Sequence, residues 1–424
     1  MPVKHYIKNI LFYLLVVCAV SPVKAAERLW YQPLIGDKLT VQDVLRAVKS
    51  GADSELLNEH NLTALMYILS NHADKNIVEE LIKSGAEINV ANEDGVTPLM
   101  HAFRINASLD IIKLLIEHGA DINAKDNDNM TSLMYAVWYK AEPSVIRLII
   151  KHGVKINDVD NDGGTALTLA AAYNPNPEIC EILIKEGANV NVRDNKGKTP
   201  LMHAVMQNNQ NVIPTLLKYG ARPNITDNDG YSVMHRALRY KAGKDVFKQL
   251  LMYTENPNVV DANGVPLLFY ALDQNTSPEI LRYLLQRGAD VHLKDGYGWN
   301  ALMWASLYDN NEEKILQLLA QGINVNEYES QDLWFPLIVA AYYNNNSSNI
   351  LTLIENGADV NQQDAGGYTP LMMAVYQNRD IEIIKTLVEN GADINIQSNH
   401  GDTALSLAKE YSHKSIVNFL KKLR

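Results

Sequence analysis

The chain has 424 residues, 47% of them hydrophobic and 21% charged, with a formal net charge of −11. Such a mixture belongs to an ordered soluble protein, not to a disordered tail or a chain of membrane spans. An acidic surface repels phosphate backbones, which argues against nucleic acid as a partner.

Residues 1–25 stand apart. Lys4, His5 and Lys8 form a basic start, Ile10 to Val20 is an 11-residue apolar run, and Val23-Lys24-Ala25 puts small residues before Ala26. This is the layout of a secretory signal cleaved after Ala25. The apolar run falls short of the roughly 20 residues a membrane span needs, so no membrane insertion is expected after cleavage. Cys18 follows Leu15-Val16-Val17 as in a lipoprotein signal, but Val17 is not the small residue such signals require. Loss of Lys4, Lys8 and Lys24 takes the formal charge to −14 and leaves Cys180 as the sole cysteine. With no disulfide to form, packing alone must hold the fold, which is expected to be monomeric. The short signal and the missing disulfides point to a bacterium and to a periplasmic or secreted location. Residues 26–40, with Trp30 and Tyr31, fit no element.

From residue 41 to 424 the chain repeats. "GVTPLMHA" at Gly95 returns as "GKTPLMHA" at Gly197 and "GYTPLMMA" at Gly367. The Thr position falls at Thr63, Thr97, Thr131, Thr165, Thr199, Ser232, Pro266, Asn300, Phe335, Thr369 and Thr403, in steps of 33 to 35 residues. A second landmark keeps phase with it: "HGADIN" at Gly119, "EGANVN" at Gly187 and "NGADVN" at Gly357. A fixed period of this length means a stacked array of about eleven units. Leu39 to Asp53 reads as a half-unit cap at one end and Ser415 to Arg424 as a terminal helix at the other.

Within a unit, Thr caps the N-terminus of a first helix and Pro occupies its first turn. A second helix follows, as in Ile111, Ile112, Leu114, Leu115 and Ile116, with apolar residues at helical spacing. Gly119 then stops the helix and "ADINAKDND" turns back. Unit six has Thr254 where this Gly should be, and the unit marked by Phe335 lacks the Gly of its turn.

The G-x-T-P-L-x-x-A pattern, the helix pair and the G-A-D-x-N turn resemble the ankyrin repeat family over nearly the whole chain after residue 41. The resemblance implies an all-α ankyrin-repeat solenoid of helix-turn-helix units with projecting turns. It also implies a concave face of first helices and turn tips that serves for contact. The His usual after T-P-L is Met in most units and is kept only at His235.

Counted from the Thr mark, positions +2 and +5 form a core stripe, while +4, +7 and +8 share another face. That face is aromatic. Position +4 holds Tyr67, Tyr135, Tyr270 and Trp304, position +7 holds Trp138, Tyr342 and Tyr376, and position +8 holds Tyr139, Tyr173, Tyr240, Tyr308, Tyr343 and Tyr411. The turn tips add Tyr231, Tyr297, Trp299, Trp334 and Tyr368. Tyr67 and Tyr270 are expected to pack between neighbouring helices. The tips have little core to join, and Tyr and Trp give broad contact area with few rotors. Trp138, Tyr139, Tyr173, Tyr231, Tyr240, Tyr297, Trp299, Trp304, Tyr308, Trp334, Tyr342, Tyr343, Tyr368 and Tyr376 are therefore the expected partner-binding residues, centred on units six to ten.

Catalytic chemistry finds no place. Asp158, Asp160 and Asp162 before Gly163 imitate a calcium loop, but the bidentate Glu of its twelfth place is Leu169. The histidines, His101 and His203 among them, form no ligand spacing, and Cys180 stands where a core Val is normal. There is no phosphate loop or nucleophile elbow. The expected function is non-enzymatic recognition of a protein partner, with no cofactor or metal. Glycan binding by the same aromatic face is the alternative.

Overall fold

The computed structural model describes residues 39–424 apart from 59, 73, 330, 378 and 424. The signal expected at 1–25 and the following segment to residue 38, with Trp30 and Tyr31, lie outside the described residues. The described chain is all-α, with 23 helices and no strand. No described helix is long and apolar enough to cross a membrane.

The Thr marks are helix N-caps. Thr97 accepts the Met100 N–H, Thr131 the Met134 N–H and Thr199 the Met202 N–H. Asn300 replaces them with a 2.9 Å bond from the Met303 N–H. His235 completes a capping box, its Nδ1 accepting from the Ser232 N–H and lying 2.9 Å from its hydroxyl. Pro266 and Phe335 hold the register with no side-chain cap. First helices run to seven residues in most units, as in Pro98–Arg104, and second helices to nine, as in Leu109–Glu117.

Second helices end as the sequence predicts. Gly119 takes a φ of +90°, and the Ala120 N–H reaches back to the Leu115 carbonyl. Thr254, standing at this place in unit six, is not left-handed. The turn tip of unit nine solves its missing Gly differently. Leu333 adopts a φ of +56°, a conformation that costs a β-carbon residue roughly 1–2 kcal/mol. Glu329 supports it by accepting the N–H groups of Gln331, Asp332 and Trp334.

The helices form two bodies, and the division passes through the fourth unit. In the first, Ala64–Ser70, Pro98–Arg104 and Ser132–Trp138 pack in succession, and so do Val41–Lys49, Lys75–Lys83, Leu109–Glu117 and Pro143–Lys151. In the second, first helices stack from Pro200–Met206 through Pro336–Tyr343 to Ala404–Glu410, with second helices beside them. Positions +2 and +5 are core in both, as Leu99 and Ala102 or Leu302 and Ala305. Antiparallel bridges such as Lys294 with Asn300 close the turns.

Asn side chains tie each body together. Asn89 donates to the Gly119 carbonyl at 3.0 Å and accepts the Asp121 N–H at 2.8 Å. Asn123 and Asn157 repeat this donation in the first body, and Asn191, Asn258, Asn326 and Asn361 in the second. The series fails twice. Asn224, facing the unit that has Thr254, keeps a buried Oδ1 without a partner, and His292 occupies the Asn position of unit eight.

Units seven to nine carry an extra buried network. Asn311 donates to the Leu272 and Ala305 carbonyls, its own N–H goes to Asn349, and Asn344 donates to the Ser306 carbonyl. Lys314, 2% exposed, donates to the Asp273 carbonyl at 2.5 Å. Burial lowers its pKa to about 8. Satisfied polar networks of this kind fix one arrangement of the helices that carry the face.

Candidate binding face

Most turn tips are built on one acid, whose place Asn58, Asn92 and Ser398 take in units one, two and eleven. In unit eight, Asp295 Oδ1 accepts the N–H groups of Tyr297 and Trp299 at 2.9 and 3.0 Å. Asp227 does the same for Asp229 and Tyr231, and Asp364 for Gly366 and Tyr368. The turn therefore aims its aromatic residue before the helix begins.

The second oxygen of that acid is held by position +4. Tyr135 donates to Asp126 at 2.8 Å, His203 Nε2 lies 2.8 Å from Asp194, Arg236 binds Asp227, Tyr270 donates to Asp261 at 2.6 Å, and the Trp304 indole N–H donates to Asp295 at 2.8 Å. Five units thus use four kinds of donor nine residues after the same acid. Burial, followed by the neighbouring carboxylate, pushes the Tyr135 phenol above its ordinary range, and burial with the Asp261 bond does so for Tyr270. Unit ten has Met373 at +4, and Asp364, without a side-chain donor, is raised by burial. Tyr67 is half-buried and donates to the Leu39 carbonyl at 2.7 Å, and Tyr270 is half-buried too. Both therefore pack as expected. Trp304 shares this inward role, half-buried and 5.7 Å from the Phe269 ring centroid.

The remaining aromatics gather in groups. In the second body Trp334 is the hub of the largest. Its ring lies 6.2 Å from Trp299, 5.2 Å from Tyr342 and 6.2 Å from Tyr343, and Tyr342 and Tyr343 stand 4.8 Å apart. Two tips and one helix therefore contribute to a single cluster. Its members are half-buried, except that Tyr343 is 42% exposed. Tyr376 packs edge to face on Tyr411 at 5.1 Å, each more than two-fifths exposed. Tyr297 is 76% exposed at its tip. Tyr240 is exposed, while Tyr308 and Tyr368 are half-buried, as is Tyr173 of unit four. In the first body Trp138 and Tyr139 are exposed, and Tyr139 stacks at 6.0 Å on the bonded Tyr135.

Unit six departs from the aromatic rule. Tyr231 packs edge to face against His235 and Tyr270, and its ring lies 4.7 Å from both the Arg236 and the Arg239 guanidinium carbons. These arginines sit at +4 and +7, the positions that carry aromatics elsewhere. The same count applied to charged residues would have found them.

The imitation calcium loop is otherwise engaged. Asp160 Oδ1 accepts the Asp162 and Gly164 N–H groups, and Asp158 pairs with Lys125 at 3.3 Å. Cys180 is buried, and burial raises its thiol to about 12.

Helix pairs repeated in register, with capped starts and projecting acid-built turns, define a repeat protein. The family model described as Ankyrin repeats (3 copies) matches residues 36–126, 65–160, 133–227, 234–329 and 337–423, and the chain belongs to the ankyrin-repeat family. Ankyrin repeats are generally protein–protein interaction modules, and proteins built from them are typically non-enzymatic scaffolds. A search of curated proteins finds no match.

Proposed function

We propose that this chain is an exported, non-catalytic scaffold that holds a protein partner on the first-helix and turn-tip face of its second body. The observation that carries the reading is the cluster of Trp299, Trp334, Tyr342 and Tyr343. Four large rings meet there while each keeps surface open to solvent. Amphipathic rings of this kind are the residues that anchor interfaces. Their planes are tilted by 30° to 67°, which leaves edges and partial faces. Such a surface suits interdigitating side chains better than the flat ring of a sugar. Export rests on the pattern of residues 1–25.

The test is crosslinked capture from the exported fraction of native cells, comparing the natural chain with a Trp334→Ala, Tyr343→Ala double variant. Tyr343 is exposed and Trp334 sits half-buried on a turn outside the helices, so helix content should be unchanged. Captured protein should fall by at least about tenfold. Retention of every captured partner by the double variant removes the aromatic face from the function. Capture of glycans alone removes the protein reading, and a chain confined to the cytosol with residues 1–25 intact removes export.

A further inference from the structure

Unit six offers something different from an aromatic platform. The acids that build its tip and the preceding one are fully occupied. Asp227 accepts two turn N–H groups on one oxygen and Arg236 on the other. Asp194 likewise takes the N–H groups of Lys196 and Lys198 on Oδ1 and His203 on Oδ2. The exposed Asp229 pairs with Arg236 at 3.2 Å.

Two cations beside them are not occupied. Arg239 is exposed and stacks on Tyr231, and among the described residues no carboxylate lies within ion-pair distance of it. Lys198 is half-buried at the neighbouring tip, again without a carboxylate partner among the described residues. Burial first, then the nearby Arg236 charge, lowers its pKa against the opposing pull of Asp194 and Asp227. In a chain of net charge −11 this is a place where cations stand without an ion-pair partner among the described residues.

We propose that Arg239, with the Tyr231 ring as its floor, and Lys198 of the preceding turn form a seat for an acidic side chain of the protein partner. The proposal rests on the reading of this face as a docking surface, and names a chemistry that the partner must bring to it. Tyr231 fixes the Arg239 guanidinium by a cation–π contact, which spares its N–H donors for a carboxylate. Lys198 supplies a second charge from the preceding unit. Arg236 is committed to Asp227 and holds the geometry without meeting the ligand. Partner segments rich in lysine are disfavoured here by the same charges, so the seat also sets the direction in which a partner lies.

The test uses the full chain and no native partner. A labelled peptide of alternating glutamate and glycine, with blocked ends, is titrated by fluorescence anisotropy at about 20 mM salt, where screening is weak. Its glutamine counterpart should bind at least about tenfold more weakly. A Lys198→Met, Arg239→Gln variant should lose a similar factor for the glutamate peptide while keeping its helix signal. A matched control, Lys218→Met with Lys248→Met, removes two cations that stack on Tyr219 and Tyr283 in the same body. It should bind like the natural chain. Four results overturn the proposal: no binding of the glutamate peptide by the natural chain, no loss in the seat variant, equal loss in seat and control variants, or displacement by inorganic phosphate at concentrations below those of the peptide. The last result would reassign the seat to phosphate. The capture experiment is read independently. A failed titration with intact capture removes the seat and leaves the aromatic face, whereas lost capture by the Trp334, Tyr343 variant with a working titration leaves the face standing.

Discussion

Tyr135 donates its hydroxyl to Asp126, which is only 8% exposed and whose other oxygen builds the turn. Removing that hydroxyl leaves a buried carboxylate oxygen without its donor, at a cost of about 1–3 kcal/mol. Tyr135→Phe should therefore lower the urea midpoint of the first body clearly, whereas Trp138→Ala, on a 42% exposed ring three residues away, should change it by no more than about 0.5 kcal/mol. A neutral Tyr135→Phe would show that the acid is satisfied by the turn alone. The pair of substitutions separates two roles that look alike in the sequence. Both residues are aromatic and both lie off the core stripe, yet one locks a turn and the other stands more than two-fifths exposed. The helix count placed them on a shared face but could not see the lock. The acid comes nine residues earlier in a turn, and its position in space depends on the left-handed residue at the tip. A recurrent acid followed at that distance by Tyr, His, Arg, Tyr and Trp was the available signal.

At the scale of the element, most of the structure was legible. The Thr marks became N-caps because a short side-chain oxygen can reach the third helical N–H, and the marks at Pro266 and Phe335 show that period alone preserves a helix when the cap is lost. The departures were legible as departures, but their outcomes were not. Nothing in the sequence says that Leu333 accepts the left-handed turn while Thr254 does not do the same at its helix end. The first is held by Glu329 on three N–H groups. The Asn series gives this scale its prediction. His292 stands where Asn258 and Asn326 bond the next glycine carbonyl, and Gly322 is left-handed like its counterparts. His292→Asn should restore the link, with its amide donating to the Gly322 carbonyl and accepting the Asn324 N–H. The gain should be about 0.5–1.5 kcal/mol. It should appear as slower hydrogen exchange at Asn324 together with a raised unfolding midpoint. An unchanged exchange rate there would mean that the turn of unit eight is set by other contacts.

For the molecule as a whole, the two bodies share a liability to acid that comes from one buried imidazole in each. His101, 2% exposed, sits between the Ser70 hydroxyl and the Arg104 guanidinium, each at 2.7 Å. Burial, then the Arg104 charge, lowers its pKa to about 3. In the second body His235 is fully buried, and burial lowers its pKa to about 4. An imidazole in the unfolded chain titrates near 6.5. Between that value and the folded one, the unfolded state binds the extra proton, so stability falls as pH falls. Above about 6.5 neither state is protonated and no loss occurs. Going from pH 7 to pH 5 should therefore cost each body about 2 kcal/mol. The cost is separable because the substitutions are local. His101→Gln removes a titrating group from the first body alone. His235→Gln does so in the second and keeps a capping-box residue at the third helical position. Amide protection in Ser132–Trp138 and in Ala301–Ser306, corrected for intrinsic exchange rates, reads the two bodies independently. Each variant should flatten the acid slope in its own body and leave the other slope unchanged. If both slopes persist in both variants, acid acts through groups other than these histidines. The tip acids are no general substitute, because burial raises Asp126 and Asp364, and a carboxyl raised in the folded state adds stability as pH falls.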